Sequence, residues 1–386
     1  MTEKELHTPC YIIDVERLES NLKTLSALSR RTGCHILLAQ KAFSCYAVYP
    51  LVASYLQGAT ASGLYEARLG REHMPGKENH VFSPAFREDE IDEIIGLCDH
   101  MVFNSPRQLG LYGPRAKAAG LTVGLRVNPE LSTQDHAIYD PCSEGSRLGT
   151  TAAELDEAVA RDPGLAELID GLHFHTLCEQ DSDALEVTLD AFEAKFGHWL
   201  DRVSWVNFGG GHHITREGYD IPRLERCIAR MRGRGLEVYL EPGEAVALNA
   251  GWLFTKVLEI QPRLRYEDGI PYRCAILDCS AACHMPDVLE VPYRPPVEGG
   301  GQPDEKKYTY RLGGPTCLSG DNIGVYSFDY QLQEGDRILF GDMAIYTMVK
   351  TNTFNGMPLP SIVAIKADGS MEIVRSFGYE DFKMRL

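Results

Sequence analysis

Between residue 35 and about residue 245 the sequence alternates eight times between a short β-rich run and an amphipathic stretch, and no other feature narrows the possible folds as far. The runs are HILLAQKA (35–42), GATAS (58–62), HVFSP (80–84), HMVFN (100–104), TVGLRVN (122–128), DGLHFHT (170–176), SWVNFGG (204–210) and EVYLEP (237–242). Between them lie stretches of helical period such as SPRQLGLYGPRAKAAG, TAAELDEAVARD and DALEVTLDAFEAKFGHWL. Ser, Thr or Asp stands near their starts, where a short oxygen-bearing side chain satisfies the free N–H groups of a first turn. Strands that alternate with helices favour parallel pairing, and eight such units over roughly 200 residues are the period of a (β/α)8 TIM barrel, so the fold class is α/β. After about residue 250 the pattern changes. WLFTKVLEIQPRLRY, YRCAILDC, KKYTYRLGG, DRILFGDM and SMEIVRSFG are β-type runs separated by Gly, Pro and Asp turns, which predicts an all-β C-terminal domain. The expected division is an N-terminal segment 1–30 that packs with the β domain, a barrel over 31–248, and the β domain over 249–386.

Composition removes several function classes. With 44% hydrophobic and 24% charged residues the chain has the balance of a globular protein, and no apolar run is long enough to span a bilayer. The opening MTEKELHTPCYIID lacks a basic region followed by an apolar stretch, so a cytoplasmic location is expected. A formal charge of −17 with no basic stripe argues against nucleic acid as a partner. The eleven cysteines are scattered without a CxxC pair, the usage of free thiols rather than of a disulfide scaffold.

In a barrel of this kind chemistry sits at the C-terminal ends of the strands. The residues that end the runs are Lys41, Arg126, His173 and His175, the glycines Gly209, Gly210 and Gly211, and Glu241 before Pro242 and Gly243. Three consecutive glycines let the backbone approach an anion and offer it N–H groups, as for a phosphate. A lysine within reach of that site, desolvated and near cations, becomes nucleophilic and suits a Schiff base with pyridoxal phosphate. Glu241 opposite it would bond the pyridine nitrogen and keep it protonated, which makes the ring a strong electron sink. His175 is the better candidate for a ring stacked on a planar cofactor, and His173 reads as a histidine hydrogen-bonded within the barrel. A rival reading uses His173 and His175, which alternate on one strand face, with His212 and His213 as ligands of a metal-dependent barrel hydrolase. A pyridoxal-phosphate carrier without turnover is a third. No metal is expected on the favoured reading.

The motifs TPCYIID, LLAQKAF, ASGLYE, LRVNPE, HFHTLCE, NFGGGH, EPGEA, GGPTCLSGD and YTMVKTNTFNG occur in that order along nearly the whole chain. In this the sequence resembles the pyridoxal-phosphate-dependent decarboxylases with an alanine-racemase-like barrel (fold type III), the group that contains ornithine and diaminopimelate decarboxylases. HFHTLCE, EPGEA and CSAACHMPDVLE resemble the carboxynorspermidine (carboxyspermidine) decarboxylase branch. The resemblance implies that Lys41 carries the cofactor, His175 stacks on its ring and Glu241 holds its nitrogen. It further implies a phosphate held on the amides of Gly209, Gly210 and Gly211, helped by Gly243, Glu244 and the Tyr346 hydroxyl, with Arg126 near the cofactor. Cys317 matches a cysteine that a neighbouring subunit donates, so a homodimer with active sites at its interface is implied. The product would be norspermidine or spermidine, with diaminopimelate decarboxylase as the alternative within the fold. Leu318 follows Cys317 where relatives often carry an acid, and Glu244 stands where several carry a phosphate-binding arginine. The residues expected to grip a polyamine tail are Asp287, Glu290, Asp321 and His284.

Overall fold

A computed structural model describes residues 6–134, 140–291 and 293–386. Two compact units make up the chain: Glu19–Val246, and a second that joins Met1–Leu18 to Ala247–Leu386. The chain enters through β1 (Cys10–Asp14), which belongs to the second unit.

The first unit is a closed parallel barrel of β2 (His35–Ala39), β3 (Gly58–Ala61), β4 (Glu78–Phe82), β5 (His100–Phe103), β6 (Thr122–Arg126), β7 (Gly171–His173), β8 (Trp205–Asn207) and β9 (Glu237–Leu240). It closes where His35 and Ile36 of β2 pair with Tyr239 and Leu240 of β9. Apolar runs form these strands because a barrel strand is covered on both faces, and Ile36, Leu37 and Leu38 are fully buried. The intervening helices start where short polar side chains were expected. Ser105 caps Pro106–Ala118 through Gln108 N–H, Asp181 caps Ser182–Leu200, and Thr151 with Glu154 forms a reciprocal capping box before Ala152–Arg161.

The eight expected runs all contain barrel strands, but several overshoot at their C-terminal ends. Lys41 lies two residues beyond β2, His175 two beyond β7, Gly209 two beyond β8 and Glu241 one beyond β9. The ladder stops there because the backbone turns into the loops of the barrel mouth, so the chemical residues are loop residues on a rigid rim. Arg126 and His173 are the last residues of their strands.

The second unit is a nine-stranded sheet in the order β14 (Asn322–Phe328), β13 (Tyr308–Gly313), β12 (Ile270–Leu277), β10 (Gly251–Ile260), β1, β16 (Ser361–Ile365), β17 (Met371–Arg375), with β11 (Arg265–Glu267) on β12 and β15 (Arg337–Gly341) on β10. Pairing is antiparallel except between β1 and β16 and between β12 and β13. Its core gathers Tyr11, Leu253, Leu277, Leu312, Tyr326 and Phe340. The domain is not purely β, for Ala281–His284, Asp287–Glu290 and Tyr379–Lys383 are short helices. One turn of helix is too brief to show a 3.6-residue period, which is why the sequence pattern missed them. Among the described residues no helix is long and apolar enough to cross a membrane.

Candidate active site

The mouth of the barrel holds a cavity of about 260 Å³ whose lining includes Lys41, Arg126, His173, His175 and Glu241. Lys41 is ringed by protein yet opens onto this cavity. Desolvation by its surroundings, reinforced by the Arg126 charge, holds its amine below the usual lysine range, while Glu241 pulls weakly the other way. Arg126 is itself buried and pushed down to about 10 by desolvation. Its Nη2 donates to the His175 carbonyl at 3.2 Å, and its guanidinium lies 4.6 Å over the Phe82 ring.

His175 accepts a hydrogen bond from Gly210 N–H on Nδ1 at 2.9 Å. Desolvation, then the Lys41 and Arg126 charges, push its pKa well below the ordinary value, so the ring is neutral with its proton on Nε2. Glu241 accepts from Asn207 Nδ2 at 2.8 Å. Burial acts to raise its pKa, but His173, His80, the Asn207 bond and Lys41 together outweigh burial and keep the carboxylate ionised.

His173 departs from its expected role. Neither ring nitrogen has a hydrogen-bond partner in the protein, although the residue is buried. Its ring stands edge-on to Phe82 at 5.6 Å and its Nε2 is 3.9 Å from Glu241 Oε2. Desolvation pushes it down to about 4, so it is neutral. Among the described residues neither His173 nor His175 belongs to a group of three metal-ligating atoms.

The glycine loop also corrects the sequence expectation. Gly209 N–H donates to Asn207 Oδ1 at 2.8 Å and Gly210 N–H to His175 Nδ1, so these two amides position the site's side chains rather than waiting for a phosphate. The close approach is genuine: at Gly211, φ +81°, a Cβ would meet the Leu177 carbonyl oxygen at 2.0 Å. At Gly243 it would meet the Ala42 Cβ at 2.5 Å. The cavity, with Lys41, Arg126 and the unpartnered His173 nitrogens on its lining, fits a planar, heteroatom-rich group such as pyridoxal phosphate.

The remaining candidates lie in the sheet unit. Cys317 is exposed, and Tyr346 is half-buried with φ 46°. His284 is fully buried, its Nδ1 accepting from Ser280 N–H at 3.2 Å and its Nε2 lying 3.0 Å from the Pro358 carbonyl, so it braces a turn and has no nitrogen left for a substrate. Asp321 is likewise consumed. Its carboxylate accepts from the Ser280 and Thr316 hydroxyls, at 3.0 and 2.6 Å, and from two backbone amides. Glu290 is paired with Lys350 at the surface. Asp287 differs: Oδ2 accepts from Tyr293 Oη at 2.6 Å and Thr347 Oγ1 at 3.1 Å, while Oδ1 is buried without a partner.

Sequence reasoning did not single out Asn207, which orients both Glu241 and Gly209, nor Phe82 beneath Arg126. The available signal for Asn207 was an amide at the end of an apolar run, just before the glycines.

A closed parallel barrel with a lysine, a neutral histidine and an ionised glutamate around one cavity defines the pyridoxal-phosphate class of barrel enzymes. The family described as pyridoxal-dependent decarboxylase, C-terminal sheet domain, matches residues 10–344. The chain is 40% identical over 397 residues to the carboxynorspermidine/carboxyspermidine decarboxylase of Campylobacter jejuni, covering 100% of both. It is 42% identical over 383 residues to the carboxyaminopropylagmatine decarboxylase of Synechocystis, covering 99% of this chain and 96% of that one. The crystal structure of the Campylobacter jejuni carboxynorspermidine decarboxylase complexed with norspermidine superposes with a TM-score of 0.88 at 39% identity, covering 99% of this chain and 100% of the other. The chain belongs to the pyridoxal-dependent decarboxylases, carboxy-lyases that use pyridoxal phosphate.

Proposed function

We propose that this enzyme decarboxylates carboxynorspermidine and carboxyspermidine, yielding norspermidine and spermidine for polyamine biosynthesis. In this reading it works as a cytoplasmic homodimer, with residues 31–248 holding the cofactor. The observation that carries the substrate assignment is the Asp287 carboxylate. One oxygen accepts from Tyr293 and Thr347 and the other is buried without a protein partner, a single vacancy that suits one ammonium N–H. A guanidinium would present a two-pronged fork and call for both oxygens. The full-length likeness to carboxyaminopropylagmatine decarboxylase supports a second reading with a guanidino substrate, and Asp287 favours the first. Diaminopimelate requires a cation for its distal carboxylate. In the sheet unit Arg294 donates to the Val325 carbonyl at 2.7 Å and Arg311 pairs with Glu267, so neither is spare for that carboxylate, whereas Arg147 lines the barrel cavity and is the cation a diaminopimelate reading would use.

Bound pyridoxal phosphate supplies an electron-poor ring that accepts the electron pair released when the Cα–carboxylate bond breaks. Lys41 would hold its aldehyde, a role helped by an amine whose depressed pKa leaves more of it unprotonated and nucleophilic. His175, fixed by Gly210, presents the ring face, and Glu241, fixed by Asn207, holds a proton at the pyridine nitrogen. Gly211, Gly243 and the Tyr346 hydroxyl would hold the phosphate. Arg126 anchors the loop that carries His175. Cys317 of the partner subunit returns a proton to Cα. Carbon dioxide release from carboxynorspermidine, carboxyspermidine, carboxyaminopropylagmatine and diaminopimelate tests the reading. The first two should give kcat/KM values at least about tenfold above the others, about 1.4 kcal/mol of discrimination. Preference for the agmatine derivative would select the second reading, and preference for diaminopimelate would overturn both.

A further inference from the structure

The consecutive histidines 212 and 213 find no use in the reaction as described, and the second of them stands in an unusual place. His213 is 8% exposed, and neither Nδ1 nor Nε2 has a hydrogen-bond partner in the protein. Its Nε2 is 3.6 Å from Glu244 Oε1, too long for a hydrogen bond. A carboxylate oxygen of Glu179 completes the group, the three ligand atoms lying within 4.8 Å of one another. Two ligands each about 2.1 Å from one ion at a tetrahedral angle stand about 3.4 Å apart, close to the His213–Glu244 separation. A buried imidazole without a protein hydrogen bond and two carboxylate oxygens gathered beside it are the donor set of a divalent transition ion.

We propose that His213, Glu244 and Glu179 bind one divalent transition-metal ion of the Mn²⁺ and Zn²⁺ class. The site has backbone support. His213 N–H donates to the Gln180 carbonyl at 3.2 Å and Gln180 N–H to the Gly211 carbonyl at 3.0 Å, which ties the loop after β7 to the loop after β8. Glu179, one residue away, has a left-handed backbone at φ 53°, a conformation a non-glycine residue adopts when its surroundings demand it. Three loops of the barrel mouth thereby converge on one point, and an ion there would cross-link them. A consequence follows if the phosphate sits on the turns at Gly211 and Gly243. Glu244 and Glu179 would otherwise repel a dianion, and the cation offsets them where several relatives carry arginine. This consequence rests on that phosphate assignment; the ion site stands on His213 and the two carboxylates without it.

Mn²⁺ is the probe, because thiols compete for Zn²⁺ and this chain has eleven cysteines. Holoenzyme stripped with a chelator is titrated with Mn²⁺ and free ion is read from its electron paramagnetic resonance signal, a readout that requires no turnover. The expected result is one equivalent per chain, weakened at least about tenfold in both Glu244→Gln and Glu179→Gln, the latter an exposed position whose change spares the core. A second histidine–carboxylate group, Glu78 with His80 and His100, lies elsewhere in the barrel, and Glu78→Gln should leave uptake unchanged. No uptake by the parent enzyme, unchanged uptake in either glutamine variant at the proposed site, or loss in Glu78→Gln instead would each overturn the proposal.

Discussion

The barrel and the sheet treat buried polar groups in opposite ways. At the barrel mouth polar atoms are left open: both nitrogens of His173 and both of His213 lack protein partners, and Lys41 projects into a cavity. In the sheet unit, Asp321 and His284 are equally buried but spend their hydrogen-bonding capacity on neighbouring backbone and hydroxyls. An unpaired buried polar atom is costly, so a fold that keeps several in one place holds them for a ligand. By the same measure the sheet unit contributes one open position among the acids considered, Asp287 Oδ1.

The sharpest way to break this contrast is Lys41→Ala. If the open groups serve the cofactor, decarboxylation falls by at least about 10⁴-fold, about 5 kcal/mol of barrier, while a urea midpoint remains near that of the parent. Residual turnover within tenfold would dissolve the distinction between the two regions.

Acid should separate the regions next. In the barrel, desolvation pushes His100 down to about 3 and His173 and His212 down to about 4, whereas in the sheet unit His284 is pushed down to about 4. An unfolded histidine titrates near 6.5, so between about pH 6.5 and 4 the unfolded chain binds protons that the native chain refuses. Stability is therefore lost as pH falls through that window, by at most about 3 kcal/mol per histidine. The Trp252→Phe variant leaves Trp199 and Trp205 as reporters, both in the barrel. Their urea midpoint should fall steadily from pH 6.5 to 4, and a flat profile would show that these imidazoles are not held neutral.

Glu241→Gln sharpens the contrast within the site. It keeps the shape and the Asn207 contact but removes the charge, so kcat should drop about 100-fold, about 2.7 kcal/mol, with cofactor still bound. In the sheet unit, Asp287→Asn should raise KM for the polyamine substrate about tenfold at nearly constant kcat. Asp321→Asn should instead lower the urea midpoint without moving KM. The smallest effect belongs to Glu290→Gln, which loses a surface pair with Lys350 and should change stability and KM by less than about 0.5 kcal/mol.

The same contrast explains what the sequence made legible. Apolar runs alternating with capped helices dictated the barrel, because burial on both faces leaves a continuous hydrophobic signature. The residues at the mouth followed from that geometry, since strand ends are where a barrel places its chemistry. Lys41, His175 and Glu241 could be located this way, but the partners that fix them could not. Gly210 bonding His175, and Asn207 bonding Glu241, are contacts between loops after different strands, which no local pattern encodes. For the same reason Asp321 and His284 looked like substrate residues. Their neighbours Ser280, Thr316 and Pro358 come together only through the sheet fold.

Borohydride reduction of the holoenzyme, followed by mass mapping of the modified peptide, bears most directly on the central claim. The account predicts a reduced pyridoxyl group on the peptide containing Lys41 and on no other lysine. A label on a different lysine, or a holoenzyme that binds the cofactor without any reducible linkage, would contradict it.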